Sequence, residues 1–264
     1  MTAAIEMREL TRRFGGVCAV DHVDLDVERG TIFGLLGSNG AGKSTLIKML
    51  TTLLPPTSGT AKVAGHDILT DARAVRASTG YVPQLVSADG ALTGRENLYL
   101  SARLYAVSRA ERKRRIGDAL AFMDLADVAD RLVRGYSGGM IRRLEIAQAM
   151  LHRPPVLFLD EPTIGLDPVA RQAVWARLKE LRARAQTTIL LTTHDMEEAE
   201  VLCDEIAILH RGAVRSKGSV RQLCTRFGVS RLEDVFILNA SDDREPGGRY
   251  RDVARERRTA QRLG

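Results

Sequence analysis

Residues 37–45 read GSNGAGKST: Gly37, Ser38, Asn39, Gly40, Ala41, Gly42, Lys43, Ser44 and Thr45. A glycine, four residues, then Gly-Lys-Ser is the spacing that cradles a nucleotide triphosphate. Glycines let the backbone come close to an anion, and the first N–H groups of a following helix point at it with the positive end of the helix dipole. Lys43 is then placed for the β and γ phosphates and the Ser44 hydroxyl for Mg²⁺.

Two further stretches offer chemistry at the ends of apolar runs. VLFLDEP, residues 156–162, reads as a strand buried on both faces, with Asp160 and Glu161 emerging at its carboxyl end. Ligands of open parallel sheets bind at that edge. Because neighbouring strand residues point opposite ways, the two carboxylates are expected to divide their duties: Asp160 towards Mg²⁺, Glu161 towards an attacking water. TTILLTTHD, residues 187–195, ends at His194 on the same expected edge, where it suits a γ-phosphate contact. Asp195 and Glu198 follow at the spacing of a capping box. The other histidines, His22, His66, His152 and His210, carry no such context and read as surface or satisfied core residues.

A fourth stretch is a surplus. YSGGM, residues 136–140, precedes the helical run IRRLEIAQAML. Ser137 is a good N-cap, and Gly138 and Gly139 expose backbone N–H groups, so this is a second anion site at a helix start. No second Gly-Lys-Ser or Gly-Lys-Thr occurs, which leaves one cassette for nucleotide and two phosphate-binding helix termini.

The elements that must position these residues follow from periodicity. TIFGLLG before the first motif reads as a buried strand, and STLIKMLTTLL after it as a helix with Leu46, Met49, Leu50 and Leu53 on one face, stopped by Pro55 and Pro56. IEMRELTRRFGGVCAVDHVDLDVERG alternates around a glycine pair and predicts antiparallel strands at an edge. GTAKVAGHDI predicts a further short strand and turn. GYVPQ ends a strand at Pro83 and leaves Gln84 at its tip. From about 86 to 149 the texture is helical; SRAERKRRIGDALAFMDL opens with Ser108 and Glu111 at capping-box spacing and carries Ile116, Leu120 and Met123 on one face.

Composition narrows the class. The net charge is +6, mostly arginine spread over helices such as ARLKELRAR, and no aromatic residues interleave with it as a nucleic-acid stacking platform needs. Cys18, Cys203 and Cys224 lack metal-site spacing and fit a reducing compartment. MTAAIEMREL carries charge early and lacks a leader's apolar core, and no run approaches a membrane span, so the chain is expected to be soluble and cytoplasmic. The tail DDREPGGRYRDVARERRTAQRLG mixes both charges with few apolar anchors and is expected to be poorly ordered.

Taken in order, GSNGAGKST, YVPQ, YSGGM, VLFLDEP, GLDP and TTHD resemble the Walker A, Q-loop, signature, Walker B, D-loop and H-loop of an ATP-binding cassette (ABC) ATPase over roughly residues 5–215. The resemblance implies an α/β fold: a P-loop NTPase core with a mainly parallel sheet, an antiparallel β edge subdomain and an inserted α-helical subdomain. It implies an ATPase domain over 1–220 (core about 1–85 and 150–220, helical subdomain about 86–149) and an extension over 221–264, charged from about 241. It also implies a head-to-tail dimer with ATP between the Walker A of one subunit and the signature of the other. Phe14 then stacks on adenine, residues 37–45 bind ATP, and Lys43, Glu161 and His194 are catalytic. Ser44, Gln84 and Asp160 serve Mg²⁺; Ser137, Gly138 and Gly139 act in trans; Asp167 crosses the dimer interface.

Tyr136 and Met140 depart from the family's usual LSGGQ. YSGGM together with RLEDVF near residue 231 resembles the ATPase subunits of ABC-2 type exporters such as the daunorubicin resistance group. That implies a separate membrane permease, a homo- or heterodimer of ATPase subunits at the cytoplasmic face, ATP and Mg²⁺ as cofactors, and a drug-like or other small hydrophobic compound as cargo, with no nucleic acid. The alternative is a soluble ABC ATPase acting in assembly or nucleic-acid-related work without a permease.

Overall fold

The computed structural model describes residues 3–240; the charged tail from 241 lies outside the described residues. Strands β1 (Ala3–Phe14) and β2 (Val17–Glu28) form a long antiparallel hairpin turning at Gly15 and Gly16. β3 (Ile32–Leu36) then enters the interior with every residue buried. It leads through the Gly37 turn into α1 (Lys43–Leu50). β4 (Ser58–Val63) and β5 (His66–Asp67) return to the hairpin and complete a four-stranded antiparallel sheet in the order β2-β1-β4-β5. Short helix α2 (Ala72–Ala77) precedes β6 (Thr79–Val82).

Helices follow: α3 (Gly94–Leu104), α4 (Arg109–Phe122), two 3-10 turns at Ala126–Val128 and Val133–Gly135, and α5 (Gly138–Met150). The chain then alternates β7 (Val156–Asp160), α6 (Pro168–Ala185), β8 (Thr188–Thr193), α7 (Met196–Leu202), β9 (Glu205–His210) and β10 (Ala213–Gly218). α8 (Val220–Phe227) and α9 (Leu232–Ala240) close the described chain.

The main sheet has the order β10-β9-β3-β8-β7-β6, parallel throughout except for the β9–β10 hairpin. Strands β3, β7 and β8 read as unbroken apolar runs because both faces are covered. One face, with Phe33, Leu35, Phe158 and Leu190, packs on α1 and the antiparallel sheet. The other, with Ile32, Leu157, Leu159, Ile189 and Leu191, packs on α5, α6 and the helical segment. A third cluster joins Ile206 and Ile208 of β9 to Leu223, Leu232 and Val235, so residues 220–240 are part of the folded body.

Several local expectations are corrected. α1 ends at Leu50, and Leu53 is exposed: the chain turns at Thr52, in a left-handed conformation, well before Pro55. Ser108 caps α4 through the Glu111 N–H, but the reciprocal half of a capping box is missing because the Glu111 carboxylate is taken by Arg114 and Arg115. The Asp195–Glu198 pair is likewise half a box. Asp195 accepts from the N–H groups of Glu197 and Glu198, while the Glu198 side chain turns into the interior.

Candidate functional site

The parallel strands converge on one edge. In register, Leu36 pairs with Thr193 and Asp160 with Thr192, so the Gly37 turn, Asp160 and His194 leave the sheet side by side. This adjacency is set by strand order, since the Gly37 turn lies more than a hundred residues from Asp160 and His194 in sequence.

The turn is held open for an anion. Gly42 has φ 106°, and a Cβ there would run into the Ala19 carbonyl oxygen, so only glycine fits. α1 starts with no side-chain cap, which leaves its first N–H groups unused. The Lys43 ammonium is buried and donates to the carbonyls of Gly37 (2.6 Å) and Ser38 (3.2 Å). It also lies 3.4 Å from Glu161 Oε1.

The carboxylates have different surroundings. Asp160 Oδ1 accepts from the hydroxyls of Ser44 (3.0 Å) and Thr192 (2.6 Å). Glu161 is not the next residue of a strand, as simple alternation required. Its φ is 49°, and its N–H is taken by Thr192, so the chain steps off the sheet into a left-handed turn that aims the carboxylate back across the pocket. Strained backbone of this kind is found where function constrains a side chain. Among the described residues, Glu161 Oε2 is buried with no hydrogen-bond partner, and His194 Nδ1 sits 3.3 Å from it. A cavity of about 100 Å³ adjoins Glu161, Thr163, His194 and Glu198, room for a few waters. Two larger hollows, of 610 and 680 Å³, lie near the amino ends of β7 and β8 and carry none of these groups.

The site roles of Thr192, Thr163 and Glu198 escape sequence reasoning. Thr192 orients both Asp160 and the Glu161 backbone. Glu198 is buried and accepts from Thr163 (2.6 Å) and the Trp175 indole N–H (3.0 Å), tying the segment after Glu161 to the helix after His194. Burial pushes the Glu198 carboxyl pKa up, against those hydrogen bonds. Thr163 stands in the DEPT run, but nothing local marks it as a partner of Glu198.

The structure assembles Lys43, Ser44, Asp160, Glu161 and His194. It leaves the others apart. Phe14 is half exposed at the hairpin tip with the Arg12 guanidinium 4.6 Å from its ring centre; Ala19, on the returning strand, faces Gly42. The Gln84 side chain is exposed, and its backbone carbonyl accepts from Arg142. Ser137 caps α5 through Met140 N–H, and Asp167 caps α6 through Ala170 N–H. Gly139 is buried, where a Cβ would lie 2.7 Å from that of Ala170, so packing by itself requires glycine. Among the described residues no hydrogen bond or ion pair joins 136–140 to 37–45. Among those residues, the helix start at Ser137 is not bonded to the Gly37 turn.

A family model described as ABC transporter matches residues 20–164, more than half of the chain. The chain belongs to the ABC transporter family. Among the relatives of this cassette is the daunorubicin/doxorubicin resistance ATP-binding protein DrrA of Streptomyces peucetius, 45% identical over 88% of this chain and 70% of that protein. The Nod factor export ATP-binding protein I of Cupriavidus metallidurans is 44% identical over 84% of this chain and 73% of that protein. Among solved structures, an ATP-binding subunit of an ABC transporter superposes with a TM-score of 0.80 at 32% identity, covering 90% of this chain and 99% of that one. A dimeric ATP-binding cassette in a post-hydrolysis state, bound to ADP and Pi, gives 0.73 at 27%, covering 81% and 98%. The cassette is thus an ATP-binding, ATP-hydrolysing subunit of an ABC transporter, with the P-loop core, parallel sheet, antiparallel sheet and helices its motifs imply.

Proposed function

We propose that this chain powers an exporter of a drug-like or other small hydrophobic compound, through a separate permease, at the cytoplasmic face of the membrane. The names of the relatives support the cargo class. Among the described residues no helix is long and apolar enough to cross a membrane, so the passage for cargo lies in a partner. The observation that carries the reading is the loop after Gln84: Leu85 and Val86, 82% and 64% exposed, stand out from it as an apolar knuckle suited to an amphipathic partner helix.

In this reading two copies of the cassette, or one with a paralogue, meet head to tail. Residues 37–45 bind ATP, Phe14 stacks on adenine, and Ser137 to Gly139 of the other subunit complete the pocket. Asp167 lines the interface. The Ser44 hydroxyl and the Asp160 carboxylate stand together beside the Lys43 turn, with the Glu161 carboxylate nearby, and these hard oxygen donors fit Mg²⁺. When bound, Mg²⁺ neutralises charge on the phosphates. Among the described residues there is no cluster of three His, Cys, Asp or Glu; Mg²⁺ held here would take further ligands from the substrate phosphates. Glu161 accepts the proton of the attacking water, His194 holds Glu161 and the γ-phosphate, and Lys43 carries the charge of the transferred group.

The deciding experiment measures ATPase activity of wild type and Glu161→Gln, alone and with membranes containing a candidate permease. Stimulation by the permease that vanishes in the variant supports the reading. Indifference to every membrane protein, with stimulation by a soluble partner, rejects it in favour of an assembly ATPase.

A further inference from the structure

Helix α5 carries a charged pair on its buried face. Arg142 and Glu145, 6% and 2% exposed, lie one turn apart among Leu144, Ile146 and Ala147. Their charged groups are 3.1 Å apart. Burying both is costly, and an apolar pair of the same volume is generally as stable or more so. What the pair does that an apolar pair cannot is bind the loop after β6 at both ends. Arg142 donates to the carbonyls of Pro83 (2.8 Å) and Gln84 (3.2 Å). Glu145 Oε1 accepts from the Ser87 N–H and from the Ser87 hydroxyl (3.0 Å). Between those anchors the exposed Leu85 and Val86 are held outward. The remainder of the loop is bonded to the helical segment as well: Asn97 binds both backbone groups of Asp89, and the carbonyls of Gly90 and Leu92 accept from Arg134 and Val133.

We propose that Arg142 and Glu145 are positioning residues for Gln84: they fasten residues 83–87 to the helix that begins at Ser137, so that a shift of that helix is passed to the loop. This rests on the ATPase reading above. The pair acts through backbone groups of the loop, and it connects the helix start that meets the opposite nucleotide to the knuckle that meets the permease. A contact made at one end therefore reaches the other without passing through the parallel sheet.

The test compares Arg142→Met/Glu145→Leu with wild type as the full chain. The apolar pair keeps the fold, with melting temperature unchanged or raised. Hydrogen exchange without nucleotide is expected to show the Ser87 amide exchanging about tenfold faster or more, with α1 and β7 unchanged. The kcat for ATP is expected to fall about tenfold with KM held within about twofold, as for loss of a support to a site residue. Gln84→Ala should lower kcat by a similar factor, and adding it to the double variant should lower kcat no further, since the pair acts through Gln84. Ser87→Ala, on the exposed loop, removes the hydroxyl bond to Glu145 and keeps the amide bond, so it weakens one anchor without touching the buried pair and should give a smaller effect of the same kind.

Unchanged exchange at Ser87 overturns the proposal, and so do kcat losses that multiply when the variants are combined. Should Glu161→Gln hydrolyse ATP at the wild-type rate, the ATPase reading of the site fails instead. The exchange experiment then decides by itself whether the loop is fastened to the helix.

Discussion

Helices α1 and α5 both begin at glycine-rich turns, and neither has an acidic residue in its first turn, yet the two starts are built differently. α1 has no side-chain cap; Gly42 takes a left-handed conformation, and Lys43, Ser44, Asp160, Glu161 and His194 crowd around it. α5 is capped by its own Ser137 and opens to solvent at Ser137 and Gly138, and among the described residues none of Lys43, Asp160, Glu161 or His194 is bonded to it. The first is a nearly complete site. The proposed function reads the second as half of one, completed in a dimer in which each chain supplies what the other lacks.

The largest expected effect breaks the first site alone. Glu161→Gln should lower phosphate release by roughly 10² to 10⁴, while ATP-driven dimers accumulate in sedimentation. If hydrolysis persists, the water is activated by another group and the crowded site has been misread.

The next prediction separates the two starts. Lys43→Ala and Ser137→Arg should each depress hydrolysis about a hundredfold or more in a single-variant preparation. Mixing the two restores one composite site, with an intact Lys43 from one chain facing an intact Ser137 from the other, and activity should return. A mixture as inactive as its components means that α5 does not act across a homodimer.

A smaller effect is expected at the rim. Phe14→Ala should raise the KM for ATP about two- to tenfold, the range of one aromatic contact, with kcat little changed. The partner ring in that contact has to share Phe14 with Arg12.

The smallest effect concerns stability away from either start. His152 stacks on Tyr105 with ring centres 3.8 Å apart and donates from Nε2 to the Thr79 carbonyl. Burial pushes its pKa down to about 4. A folded pKa below the unfolded value near 6.5 means a contribution fully present above that value and lost as pH falls towards 4. His152→Phe keeps the stack and should flatten the fall in melting temperature between pH 7 and 5. Equal slopes remove His152 from the acid response.

Much of this was legible in short windows. The turn at 37–45, the apolar runs ending in Asp160 and His194, and the caps at Ser137 and Asp195 are local patterns, and local patterns survive folding when strand or helix period and turn chemistry agree. The readings that failed were also local. Leu53 was counted onto a helix that had already ended, and Glu198 was taken for a cap because its spacing allowed one, whereas burial gave its carboxylate to Thr163 and Trp175.

The amino-acid sequence alone determined on which elements the candidate residues sit, because phosphate cradles, strand ends and caps are set by neighbours a few residues apart. Only the tertiary structure decided that Glu161 leaves its strand in a left-handed turn to face Lys43 and His194. It alone decided, too, that Arg142 and Glu145 hold the Gln84 loop. Both depend on strand order and helix packing that bring together groups between 33 and 118 residues apart, and no local period encodes such distances.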